Sequence, residues 1–326
     1  MPIVELNHVR KVYDTKVAVE DLSFSIEPGT MFGLLGPNGS GKTSSIRMMI
    51  GITVPDSGTV SLFGEPFLRN NLWKVGYLPE ERGLYKKMNV LEQLVFFGRL
   101  RDLGAKVSEK RARQWCERLQ ITEALTKKTE DLSKGMQQKI QFIASLLHEP
   151  ELIIMDEPFS GLDPVNGVLL MDTLLELRKE GKAVLFSTHR MDQVEKMCDS
   201  IALIHRGNLV LSGTMSEVKA KYPRSRVQIS FEGGDGFLRH PSIESMRRYP
   251  GTAEIRLRPS ATIAEDAQNL LQAAIACARV TRFEVTEPTL EEIFIEKVRE
   301  VLPSKQNAEV ASGEIRDAAG SYAGAY

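Results

Sequence analysis

Cysteine is scarce: Cys116, Cys198 and Cys277 are the 3 thiols in 326 residues, and no two form a C-x-x-C pair. That scarcity excludes a disulfide framework and offers no zinc-ligand pattern, so a reducing cytoplasm is the expected home. Long apolar runs are lacking as well, each being broken by charge, Gly or Pro short of the roughly 18–20 residues that a membrane-crossing helix needs. The opening Met1-Pro2-Ile3-Val4-Glu5 has neither the basic nor the apolar block of a secretory signal. An excess of either charge is lacking too: 42 Lys and Arg against 43 Asp and Glu leave a net charge of −1 and a pI near 6.6. This removes the broad electrostatic footprint of a nucleic-acid binder, and no nucleic-acid partner is expected. There is no internal repeat, and the length leaves room for a large core and more than one domain.

What is present is concentrated in a few short stretches. Residues 36–43 (Gly36, Pro37, Asn38, Gly39, Ser40, Gly41, Lys42 and Thr43) match G-x-x-x-x-G-K-[ST] in full, between the apolar run 30–35 and a helix-compatible run that begins at Ser44. Three residues without Cβ let the backbone bend around a phosphate and aim N–H groups at it, and the following helix N-terminus adds partial positive charge. Lys42 would reach the β- and γ-phosphates of ATP, and the Thr43 hydroxyl would face Mg²⁺. Downstream, the apolar run 151–155 ends in Asp156-Glu157-Pro158, as a buried parallel strand does when it delivers carboxylates at its edge. Asp156 is placed to hold Mg²⁺ and Glu157 to polarise an attacking water.

Leu132-Ser133-Lys134-Gly135-Met136-Gln137 reads as another capped helix start able to take an anion. With this segment the chain resembles the ATP-binding subunit of an ABC transporter, whose signature begins Leu-Ser-Gly-Gly-Gln. Lys134 and Met136 depart from it, while Ser133 and Gly135, which the family uses to touch a γ-phosphate, are kept. Ser160-Gly161-Leu162-Asp163 resembles the D-loop that crosses the family's dimer interface, and Phe186-Ser187-Thr188-His189 resembles its switch strand, whose histidine contacts the γ-phosphate. Tyr13 matches the aromatic residue that stacks on adenine, the alternative being a plain aromatic on an edge strand. In the Q-loop, Glu80 stands where the family usually has glutamine, and its carboxylate can still approach Mg²⁺.

The resemblance implies an α/β P-loop NTPase of ABC type, with an antiparallel β subdomain and a helical subdomain over about 85–148 that docks a membrane partner. It implies an ATPase at the cytoplasmic face of the membrane, working with a separate multi-span permease and a second ATPase subunit, so that two copies complete each site. Two other classes stand beside it. A soluble ABC ATPase acting on DNA or ribosomes would carry a long coiled-coil insert or two ATPase units, whereas this chain has one phosphate loop and fewer than about a hundred residues between loop and signature. A nucleotide-sensing module without turnover would lack Glu157 or His189. The ATPase domain is expected over 1–220, a polar linker at 219–225, a small α+β domain over 221–302 and a disordered tail over 303–326. In the small domain, strands are expected near 227–231, 253–257 and 282–285, with helices at 263–278 and 289–301. Its ending, Glu287-Pro288-Thr289-Leu290-Glu291-Glu292-Ile293-Phe294, resembles ATPase subunits of the ABC-2 exporter branch, which includes sodium-extrusion and drug-efflux systems.

Overall fold

The computed structural model describes residues 1–301 apart from Leu68, Arg82, Pro223, Arg224 and 259–261, so the expected tail and two linker residues lie outside the described residues. The chain forms two compact units, dividing between Thr214 and Met215.

The first unit is built on one ten-stranded sheet. In chain order its strands are β1 (Val4–Tyr13), β2 (Lys16–Ile26), β3 (Met31–Leu35), β4 (Ser57–Leu62), β5 (Glu65–Pro66), β6 (Val75–Leu78), β7 (Leu152–Asp156), β8 (Ala183–Thr188), β9 (Ser200–His205) and β10 (Asn208–Thr214). They lie in the order β5-β4-β1-β2-β10-β9-β3-β8-β7-β6. The stretch β9-β3-β8-β7-β6 is parallel, and β5-β4-β1-β2 is antiparallel. Every residue of β3, β7 and β8 is buried, which is why those segments read as unbroken apolar runs rather than alternations. Burial of each large side chain there contributes about 2 kcal/mol. Three strands buried on both faces can bring polar groups to solvent only at their ends, and the phosphate loop, Asp156-Glu157 and Thr188-His189 all follow or close their C-terminal ends.

Helix α1 (Lys42–Met49) leaves the loop after β3. Between β6 and β7 lie α2 (Val90–Arg99), α3 (Ala105–Arg118) and α4 (Lys134–Leu146). Asn89 caps α2 by accepting from the Leu91 amide at 3.0 Å, and Ser133 caps α4 by accepting from the Met136 amide at 3.2 Å. Trp115 of α3 meets the edge of Phe142 of α4, with ring centroids 6.3 Å apart. Helices α5 (Pro164–Lys179) and α6 (Met191–Met197) complete the unit.

The second unit opens with α7 (Met215–Ala220), ahead of residue 220, because the last pairing of β10, Thr214 with Ser200, ends the large sheet. It holds β11 (Arg226–Gly233), β12 (Ile243–Tyr249), β13 (Thr252–Leu257), α8 (Ile263–Cys277), β14 (Ala278–Thr286) and α9 (Leu290–Val301), the strands pairing antiparallel in the order β12-β13-β11-β14. Val227, Ile229 and Phe231 of β11, Ile255 and Leu257 of β13 and Leu270 of α8 share its core. At α9 the Glu292 carboxylate accepts from the Thr289 amide at 2.9 Å while the Thr289 hydroxyl accepts from the Glu292 amide at 3.4 Å, a reciprocal capping box.

Candidate functional site

The phosphate loop is shaped by exclusion. Gly41 lies at φ 113°, and a Cβ there would stand 2.5 Å from the Ala18 carbonyl oxygen; at Gly36 it would stand 2.2 Å from that of Ile204. Neither backbone oxygen can swing away as a side chain could, so both positions require glycine for space as well as conformation. Lys42 follows, 6 % exposed, its ammonium donating to the carbonyls of Gly36 at 2.7 Å and Pro37 at 3.2 Å. Burial pulls the Lys42 pKa below its ordinary value, and the nearby carboxylates of Glu157, Asp156 and Glu80 pull it back up.

Those carboxylates are the other half of the site. Asp156 is 1 % exposed; one oxygen accepts from the Ser187 hydroxyl across the β7–β8 pair, and Oδ2 is buried without a hydrogen-bond partner. Glu157 takes a left-handed backbone, φ 49°, with its amide donating to both the carbonyl and the hydroxyl of Ser187, at 3.2 and 3.1 Å. The turn places Glu157 Oε1 3.0 Å from His189 Nδ1 and 3.8 Å from Lys42 Nζ. A non-glycine residue in that region costs on the order of 1 kcal/mol or more, and here it turns a strand end into a presented carboxylate. On β6 Tyr77 packs against the core, and burial, then the charges of Asp156 and Glu80, push its phenol up to about 12 against the opposing pull of Arg47.

A cavity of about 370 Å³ joins these groups, lined by Tyr13, Lys16, Ala18, Asn38, Gly39, Gly41, Lys42, Thr43, Ser44, Glu80, Asp156 and Glu157. Among the described residues no group of three or more His, Cys, Asp or Glu could hold a metal by itself. The donor set, one orphaned buried carboxylate oxygen with a hydroxyl and a second carboxylate on the same cavity, fits a magnesium that takes most of its oxygens from phosphate and water. Tyr13 is 40 % exposed at the cavity mouth on β1, an interior strand rather than an edge, with the Lys11 ammonium 5.6 Å from its ring centre. Lys11 is in turn held by Asp56 at 2.8 Å.

Ser133, Gly135, Gln137 and Asp163 do not line this cavity. Ser133 and Asp163 cap α4 and α5, and Gln137 braces the turn before α4 by donating to the carbonyls of Thr129 and Leu132 at 3.1 and 3.0 Å. A Cβ on Gly135 would lie 3.6 Å from Leu162, so the signature and D-loop form one surface. Ser40 is buried, and its carbonyl accepts from the Gly207 amide at 2.9 Å. Sequence reasoning passed over Ser187 as a site residue; the signal for it is its place at the end of a parallel strand beside the one ending in Asp156.

Known proteins are similar to this chain over most of its length. A family model described as ABC transporter matches residues 19–160, and one described as the C-terminal domain of DrrA1-3-like ATP-binding proteins matches 213–298. The chain is 41 % identical over 298 residues to an uncharacterized ABC transporter ATP-binding protein of Bacillus subtilis, YhaQ, spanning 91 % of this chain and 98 % of that one. It is 31 % identical over 304 residues to the linearmycin resistance ATP-binding protein LnrL of the same organism, spanning 90 % and 97 %. Among solved structures, cbiO1 of Clostridium perfringens, described as part of the ABC transporter complex cbiONQ, matches with a TM-score of 0.60 and 26 % identity over 68 % of this chain and 91 % of that one. A phosphate loop and an acidic strand end around one cavity, with a histidine 3.0 Å from Glu157, on a chain alike to YhaQ over nearly its whole length, have a single reading: the chain belongs to the ABC transporter ATP-binding proteins, those with a DrrA-like C-terminal domain.

Proposed function

We propose that the chain hydrolyses ATP with magnesium at the Lys42–Glu157 cavity and that this drives export through a separate membrane permease. The observation that carries the reading is the placement of Glu157 within 3.0 Å of His189 and 3.8 Å of Lys42, beside the partnerless Asp156 Oδ2. Tyr13 stacks on adenine, the loop amides and Lys42 hold the phosphates, and Thr43, Asp156 and Glu80 hold magnesium, which when bound neutralises phosphate charge. Glu157 takes the proton of the attacking water, and His189 orients that carboxylate and meets the γ-phosphate. Ser133, Gly135 and Asp163, away from their own cavity, serve the site of a second copy. No helix among the described residues is long and apolar enough to cross a membrane. In the proposal, which rests on the family likeness, the permease is another chain and this one is peripheral at the cytoplasmic face. Exposed Tyr85 and Phe96, rings 5.9 Å apart beside the Glu80 loop, suit a permease segment. Export is supported by the likeness to a resistance protein and by the matched C-terminal domain.

Replacing Glu157 by Gln removes the base and keeps the shape. ATP binding should persist while steady-state hydrolysis falls by about 10²-fold or more. Hydrolysis at near wild-type rate in Glu157→Gln, measured by phosphate release, sinks the assignment.

A further inference from the structure

Two buried glutamines on α4 reach out of the helix to the loops that carry the site's carboxylates. Gln141, 5 % exposed, donates from Nε2 to the carbonyls of Pro79 at 3.1 Å and Glu81 at 3.0 Å, the residues on either side of Glu80. Gln138, 3 % exposed, donates from Nε2 to the carbonyl of Pro158 at 3.1 Å, the residue after Glu157. Three positions apart, they stand on one face of the helix, one turn apart. The orientation of Gln141 is fixed by its partners: both are acceptors, its Oε1 is buried without a partner, and a flipped amide would set that oxygen against two carbonyls. The loop after Glu80 is held again further on, where Gln93 Oε1 accepts from the Tyr85 amide at 2.6 Å and its Nε2 donates to the Thr129 hydroxyl at 2.7 Å.

We infer that Gln138 and Gln141 are positioning residues: the helix that begins at the signature sets Glu157 through Pro158 and Glu80 through Pro79 and Glu81. This rests on the assignment of Glu80 and Glu157 to the nucleotide site. Neither glutamine touches the cavity, so each acts through the backbone it holds, and the two act on different carboxylates. Their effects therefore separate. Losing Gln141 loosens Glu80 and with it the magnesium requirement; losing Gln138 loosens Glu157 and with it the rate.

The test uses Gln141→Met and Gln138→Met, which keep chain length and packing and delete the donors, in the full chain. In nucleotide-free protein, amide hydrogen exchange should quicken at Glu80, Glu81 and 83–85 in Gln141→Met alone, and at Glu157 and 159–162 in Gln138→Met alone. In hydrolysis assays Gln141→Met should raise half-saturating Mg²⁺ by about three- to tenfold with kcat within about threefold, and Gln138→Met should lower kcat by about tenfold or more at unchanged Mg²⁺ dependence, since small misplacements of a catalytic group are costly. Exchange that quickens in both loops together, or in neither, overturns the inference, whatever the activity. If Glu80→Ala leaves Mg²⁺ dependence unchanged, the metal assignment of Glu80 has failed, and the exchange pattern still decides the role of the glutamines. Should a Met variant not fold, the same measurements on Gln141→Ala and Gln138→Ala apply.

Discussion

Burial changes single residues in ways that solution measurements can read. His148, following α4, donates from Nε2 to the Val75 carbonyl at 3.1 Å, and its Nδ1 is buried without a partner. Burial lowers its pKa from 6.5 to about 4, the charges of Arg101, Arg111 and Lys182 adding to the fall and the Val75 carbonyl opposing it. A depressed histidine contributes stability that is present above the unfolded value and lost as pH falls toward the folded one. Between pH 7.5 and 5 the wild type should lose on the order of 2 kcal/mol relative to His148→Gln, which keeps a donor for Val75. Urea unfolding of both proteins across that range checks it; parallel curves would contradict the shift. What the sequence disclosed at this scale was what is contiguous: residues 36–43 announce a phosphate loop because the chemistry needs those types at that spacing. Gln141 stayed silent because its partners are 60 and 62 positions away, and a glutamine in a helix looks the same whether it faces solvent or two carbonyls.

Elements were legible where burial wrote a pattern and illegible where backbone pairing alone holds them. Strand β7 reads directly from an apolar run, whereas β12, IESMRRY, is exposed along most of its length, sits at a sheet edge and is held by its ladder to β13, so no alternation betrays it. Strand β14 likewise begins at Ala278, ahead of the expected 282, since its first residues pair with Gly233, Glu232 and Phe231 through main chain. The contact of β6 with α4 is closer than any pattern would reveal: a Cβ on Gly76 would lie 2.4 Å from the Ser145 carbonyl oxygen and 2.9 Å from the Pro150 ring. Gly76→Ala must push α4 off the strand, at a cost of about 1–3 kcal/mol. The urea midpoint should fall accordingly. Because β6 leads into the Glu80 loop, the same variant should also disturb the Gln141 bonds; an unchanged midpoint would mean that helix and strand part freely.

For the whole molecule, the decisive fact is that the signature residues lie apart from the cavity that gathers Lys42 and the carboxylates. Lys42, Asp156, Glu157 and Glu80 meet in one cavity, while exposed Ser133 and the neighbouring Gly135, Gly161 and Leu162 form a surface apart from it. A helix start capped by serine with no ligand of its own is suited to a phosphate brought by another chain. On the proposed function, one copy holds half of each of two sites and a two-fold pair would complete both. Nucleotide that cannot be hydrolysed should hold the pair closed, and turnover should release it. The isolated protein is expected to be mainly monomeric without nucleotide, and Glu157→Gln with ATP and Mg²⁺ should shift toward a dimer in light scattering coupled to size exclusion. Adding Ser133→Arg should abolish the shift, because the long side chain occupies the place of the opposing phosphate. The loss of a cap costs only about 1 kcal/mol, so the double variant should remain folded by circular dichroism. A monomer that hydrolyses ATP at a specific rate independent of protein concentration would show that one chain suffices.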